Sequence, residues 1–114
     1  MLAAPPPFPT PTQAHLDEAV RRIVAAVDPE RIIVFGSFAR GEARPGSDLD
    51  LLVVVRQVDH HLRAAGRLNA LLSGLGIPKD VLVATEDDVS GSLSWHESVL
   101  KTAQLEGAVA YARP

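Results

Sequence analysis

The chain contains no cysteine, which excludes a disulfide scaffold, a zinc finger and thiol catalysis together. It also lacks an excess of positive charge: eleven basic against fourteen acidic side chains leave a formal net charge of −3. Proteins that work by coating nucleic-acid phosphates are normally basic, so direct nucleic-acid binding is not expected. Long apolar runs are missing as well. The densest, Leu51–Val55, is far short of the ~18 residues of a membrane-spanning helix and reads as a buried strand. The start Met1-Leu2-Ala3-Ala4 has no basic residue and runs into prolines before an apolar stretch forms. No signal peptide is therefore expected, and the cytoplasm is the expected location. No internal repeat is present.

What the chain does have is 114 residues, 46% of them apolar and 22% charged, the composition of an ordinary soluble domain. That length suits one domain, able to bury about two-thirds of the surface its unfolded chain exposes. Five of the nine prolines fall between Pro5 and Pro11. Proline fixes φ and removes a backbone donor, so residues 1–11 are expected to be a disordered or extended tail and 12–114 the folded domain. Thr10, Pro11 and Gln13 have the spacing of an N-cap, a first helical residue and the far side of a capping box. Leu16, Val20, Ile23, Val24 and Val27 then follow at helical spacing, up to Asp28-Pro29.

Arg31–Phe35 is short and β-branched and reads as a buried strand. A helical turn is expected from Ser37, then a Gly41–Ser47 loop, then a second strand over Asp48–Val55. From about Asp59 to Leu75 the spacing of Leu62, Ala65, Leu68, Leu72 and Leu75 is helical, stopped by Gly76 and Pro78. Asp80–Ala84 reads as a third strand. A last helix is expected from a Ser94/Glu97 capping box through Val99, Leu100 and Ala103 to Gly107, with a short strand at Val109–Tyr111. Helices alternating with strands that are apolar on both faces predict a small α/β (α+β) sandwich, a sheet of three to four strands covered by helices.

Three carboxylates sit where a buried sheet does not favour them: Asp48 and Asp50 at the start of the second strand, and Asp80 at the start of the third. Side chains at i and i+2 of a strand share a face, with Cα atoms about 6.5–7 Å apart. Asp80 joins the pair if its strand lies beside the second. Clustered anions repel, and hard divalent cations supply a reason for the cluster. Magnesium takes carboxylate and phosphate oxygens, and two ions about 3.5–4 Å apart clamp an in-line phosphoryl displacement. Upstream, Gly36-Ser37 ends a strand. Glycine lets backbone approach a ligand, and free N–H groups at a helix start favour anions.

The stretch from Gly36-Ser37 through ten residues to Asp48-Leu49-Asp50 resembles the signature of the DNA polymerase beta-like nucleotidyltransferase superfamily. The order of elements around it resembles the minimal nucleotidyltransferase (MNT) family over nearly everything after the proline tail. That resemblance implies a mixed sheet covered by helices. It implies that Gly36, Ser37 and Arg40 hold the triphosphate of ATP, that Asp48, Asp50 and Asp80 hold two Mg2+ ions, and that Asp80 serves as base for the incoming hydroxyl. Arg44 is a further loop arginine, read either as a phosphate contact or as a solvated loop residue, and Phe38 departs from the pattern, since many relatives carry Arg or another polar residue there.

Members of the family are commonly antitoxins of HEPN/MNT pairs that transfer AMP to a tyrosine of the HEPN RNase. The resemblance therefore implies a protein adenylyltransferase of a type VII-like pair, with a HEPN toxin as partner. Larger superfamily members append a helical domain for the acceptor. This chain has no room for one, so an acceptor carried by another chain is expected. Two alternatives stand beside that reading: an antitoxin that neutralises by covering the toxin, and a transferase acting on a small molecule such as an aminoglycoside.

Other residues attract attention with less reason. His60 and His61 point about 100° apart on a helix and do not chelate one ion well; they and His15 read as surface histidines. Trp95 reads as packing. Glu86-Asp87-Asp88 reads as a solvated turn.

Overall fold

The computed structural model describes residues 8–90, 103 and 106–114. Its elements are α1 (Gln13–Val27), β1 (Arg31–Phe35), α2 (Gly36–Ala39), β2 (Leu49–Val55), α3 (His61–Leu71), β3 (Lys79–Thr85), α4 (Glu86–Ser90) and β4 (Ala108–Ala112). The strands form one sheet in the order β3-β2-β1-β4. β2 and β3 are parallel, while β1 runs antiparallel to both β2 and β4. The mixed α/β sandwich is the expected one.

The centre of the sheet follows from the apolar run in β2. Leu49, Leu51, Leu52, Val53 and Val54 are fully buried, which requires cover on both faces. On the first face, Leu49, Leu51 and Val53 join Ile32, Val34, Val81 and Val83 under α1 (Leu16, Ala19, Ile23) and α3 (Leu68, with Leu72 just beyond it). On the second, Leu52 and Val54 join Ile33, Phe35 and Ala84 beneath Ala103 and Val89 of α4.

Local signals shift some boundaries. The N-cap of α1 is Thr12, not Thr10: its hydroxyl accepts the His15 N–H, and His15 Nδ1 accepts the Thr12 N–H at 3.0 Å. His15 thereby completes the capping box in place of Gln13, while Pro11 is buried ahead of the helix. Val27, at the far end of the predicted stripe, is 42% exposed. α3 is shorter than Asp59–Leu75, and Leu62 faces solvent. The sheet-facing stripe runs through Ala65, Leu68 and Leu72, and Leu62 lies roughly 100° around the helix from its centre. His60 caps α3 by accepting the Arg63 N–H at Nδ1 (3.2 Å). The Ser94/Glu97 capping box, Trp95, Val99 and Leu100 lie outside the described residues, although Ala103 is buried as the helical spacing predicts.

β4 is anchored through Gly107, whose N–H donates to the Ala103 carbonyl at 2.9 Å. A Cβ there would collide with the Ala103 carbonyl and the Ile33 side chain and lie 3.0 Å from the Val34 carbonyl. Two of those neighbours are backbone and cannot swing away. Gly107→Ala is therefore expected to destabilise the fold by about 1–3 kcal/mol, read as a lowered urea midpoint at unchanged slope.

Candidate active site

The acids gather where β2 enters the sheet. The Leu49 N–H donates to the Pro78 carbonyl at 2.9 Å, drawing the starts of β2 and β3 together. The parallel register then sets Asp50 opposite Asp80, while Phe35 faces Asp50 from β1. Register partners project to the same side of a sheet, so Asp50 and Asp80 share the second face with Leu52 and Leu82. Asp48 lies just before β2, two residues upstream of Asp50, rather than inside the strand. Asp48 and Asp80 are exposed and Asp50 is half-buried.

Asp50 carries the electrostatic strain of this group. Burial, then the charges of Asp48 and Asp80, push its carboxyl up to about 6 against the partial relief of Arg40. Burial and the two neighbouring carboxylates each disfavour a third anion in a half-dry position.

Gly36 is tied to this carboxylate by geometry. The chain leaves β1 and turns into α2 with Gly36 at φ +75°, a left-handed conformation that suits glycine. A Cβ at this position would collide with Asp50 Oδ2 and lie 3.1 Å from its Cγ. The turn therefore comes up against the acid, a contact that no spacing rule reveals. α2 starts without a side-chain cap, and its loop closes through the Gly36 and Ser37 carbonyls, which accept the Arg40 and Glu42 N–H groups at 3.1 and 2.8 Å.

The loop arginines behave differently from one another. Arg40 is engaged by Glu42 (2.6 Å) and Glu106 (3.3 Å), so the residue expected at the triphosphate is held by two carboxylates. Its charge is still felt at Asp50. The Arg44 backbone N–H donates to Ser47 Oγ at 2.8 Å, closing the loop before Asp48. Phe38 packs against the first-face core, which accounts for an apolar residue in this turn.

The Glu86–Asp88 run is not a solvated turn but the first turn of α4. Asp88 accepts the Thr85 N–H (2.8 Å), the Asp88 N–H donates to Thr85 Oγ1 (3.2 Å), and His61 Nε2 lies 2.7 Å from Asp88 Oδ2. Burial pushes the Asp88 carboxyl up, but the bonds from His61 and Thr85 outweigh it and hold it below its ordinary value. Glu86 pairs with Arg31 at 3.0 Å. This reciprocal cap was readable as Thr85-x-x-Asp88.

Among the described residues no three acids or histidines close around a common point. The donor set nevertheless suits hard cations: carboxylates from neighbouring strands, projecting to one side, with mutual repulsion that a cation would relieve. No described helix is long and apolar enough to cross a membrane.

Comparison with known proteins agrees with this geometry. The chain is similar in fold to a candidate nucleotidyltransferase from Sulfolobus solfataricus (TM-score 0.62, 19% identity, covering 88% of this chain and 79% of that one). It is similar as well to a chain from a toxin–antitoxin structure with AMP-PNP (TM-score 0.61, 21% identity, covering 84% and 73%). No curated protein sequence matches. The nucleotidyltransferase domain family matches residues 16–102, the span that holds Gly36, Ser37, Asp48, Asp50 and Asp80. With most of its length matched, the chain belongs to the nucleotidyltransferase domain family of the polymerase beta-like superfamily.

Proposed function

We propose that this protein is the antitoxin of a HEPN/MNT pair and that it transfers AMP from ATP to a tyrosine of the HEPN RNase toxin. The observation that carries the reading is the register of Asp50 with Asp80, with the Gly36 turn set against Asp50. The likeness to a toxin–antitoxin structure with AMP-PNP supports the choice of partner and nucleotide.

In this reading Asp48, Asp50 and Asp80 would hold two Mg2+ ions, which supply charge neutralisation for in-line displacement at phosphorus. Gly36 and Ser37 offer the uncapped backbone N–H groups of α2 and one hydroxyl to the triphosphate. Asp80 takes the proton of the tyrosine hydroxyl. The phenolic oxygen forms a bond to the α-phosphorus as the bond to pyrophosphate breaks, and pyrophosphate leaves with its electron pair.

Incubating the product of the neighbouring gene with this protein, ATP and Mg2+ is expected to raise that product's intact mass by one or more AMP units. Asp48→Asn is expected to give no increase. Tight binding by the wild-type chain without any mass gain would sink the transfer mechanism and leave an antitoxin that acts by covering its toxin.

A further inference from the structure

The outward face of α3 carries residues that folding does not explain. Leu62, Arg63, Gly66, Arg67 and Ala70 are all exposed there, with Leu62 at 66%. Gly66 stands inside the helix with nothing near its would-be Cβ. Glycine at such a place weakens a helix relative to alanine and returns no packing. Arg63 and Arg67 lie one turn apart on a helix without an acidic residue, a spacing at which like charges repel.

Most arginines of this chain are paired. Arg21, Arg22, Arg31, Arg40, Arg56 and Arg113 each hold a carboxylate. Among the described residues Arg44, Arg63, Arg67 and Lys79 have no such partner, and of these Arg63 and Arg67 share one helix face. Arg67 also stands on the rim of a groove of about 390 Å³ beside α1, walled by Val27, Val58 and Leu68.

An exposed leucine, room for close approach and two uncompensated guanidiniums on one face together suit an acidic, partly apolar occupant. We propose that the outward face of α3 docks an acidic amphipathic helix of the partner protein. Its carboxylates pair with Arg63 and Arg67, and its apolar side chains cover Leu62 and enter the groove beside Arg67. Gly66 lets the two helix backbones come close. Charge complementarity selects this occupant, and the proposal rests on the antitoxin reading for the partner's existence. α3 packs on the first face of the sheet, whereas Asp50 and Asp80 belong to the second. Docking therefore leaves the acids uncovered, and holding the toxin and modifying it become separable.

The test is titration calorimetry of the full chain against the product of the neighbouring gene, with intact mass measured on the same samples. Arg63→Glu/Arg67→Glu is expected to weaken binding at least tenfold and to flatten its salt dependence. Gly66→Ala is expected to raise the melting temperature yet weaken binding at least threefold, a combination that a purely structural role does not produce. Asp48→Asn is expected to bind as the wild type does and transfer nothing. Should the double charge reversal fail to fold by circular dichroism, Gly66→Ala decides alone.

Unchanged affinity in both α3 variants, with wild-type binding and AMP transfer intact, would overturn the α3 proposal and leave the function standing. A wild-type chain that neither binds nor modifies the neighbouring gene's product would remove the antitoxin reading and the docking face with it. Capture of a mixed-sequence RNA oligonucleotide, lost on charge reversal while protein affinity holds, would assign the face to RNA and overturn a protein partner.

Discussion

Asp50→Asn is expected to lower nucleotidyl transfer by at least ~10³-fold, because it removes the carboxylate at the centre of the group proposed to hold the metal ions while keeping its shape. The same change should make the metal-free protein more stable. The Asp50 carboxyl is raised to about 6 in the fold, by burial first and then by Asp48 and Asp80. A group whose folded pKa exceeds its unfolded one holds its extra proton in the native state. Its contribution is most favourable below the unfolded value, declines as pH rises from about 4 to 6, and stays unfavourable above that. Discounted for solvent around a half-exposed group, the penalty at neutral pH is about 1 kcal/mol. Asn lifts it, raising the melting temperature by about 5 °C without divalent cations and flattening the pH dependence between 4 and 6. A variant that keeps more than a tenth of the wild-type rate would take Asp50 out of the site.

Gly36→Ala attacks the same carboxylate from the other side. Alanine at φ +75° carries backbone strain of about 1–2 kcal/mol, and its methyl group meets Asp50 Oδ2. Together these effects are expected to destabilise the fold by roughly 2–3 kcal/mol, or about 10 °C in melting temperature, and to cut transfer at least ~10²-fold by displacing the acid. The partner of the clash is specific, so the effect must be non-additive. Gly36→Ala should therefore cost clearly less stability in an Asp50→Ala background than in the wild type, because shortening Asp50 makes room for the methyl. An equal cost in both backgrounds would mean that glycine is needed here for backbone conformation only.

Much of this site is legible without coordinates, and the reasons are local. The run Ile32-Ile33-Val34-Phe35 suits nothing as well as a buried strand, and Leu51-Leu52-Val53-Val54 needs cover on both faces. Two acids at i and i+2 share a face because the period of a strand is two. Misreadings came where two local solutions compete. Thr10 and Thr12 both offer a capping hydroxyl, and the choice fell to His15, whose ring returns the bond to the Thr12 N–H. Leu62 fits a helical stripe by spacing but lies off its centre once α3 is seated on the sheet. Asp88 looked like one of three solvated acids, whereas His61, remote in sequence, lies against it.

The strands, the two helices α1 and α3 that cover the first face, and a Gly-Ser turn ten residues ahead of Asp48-Leu49-Asp50 were all fixed by local sequence. These follow from periodicity and from chemistry carried within a few residues. That Asp80 stands beside Asp50 was settled by the assembled fold, because the neighbour of a parallel strand depends on where the α3 crossover returns the chain. The same fold also decided that Gly36 touches Asp50, that Arg40 is shared between Glu42 and Glu106, and that the Arg63 and Arg67 side chains have no carboxylate partner among the described residues. Each of these is a meeting of side chains from different elements, fixed by register and packing, which local spacing does not encode.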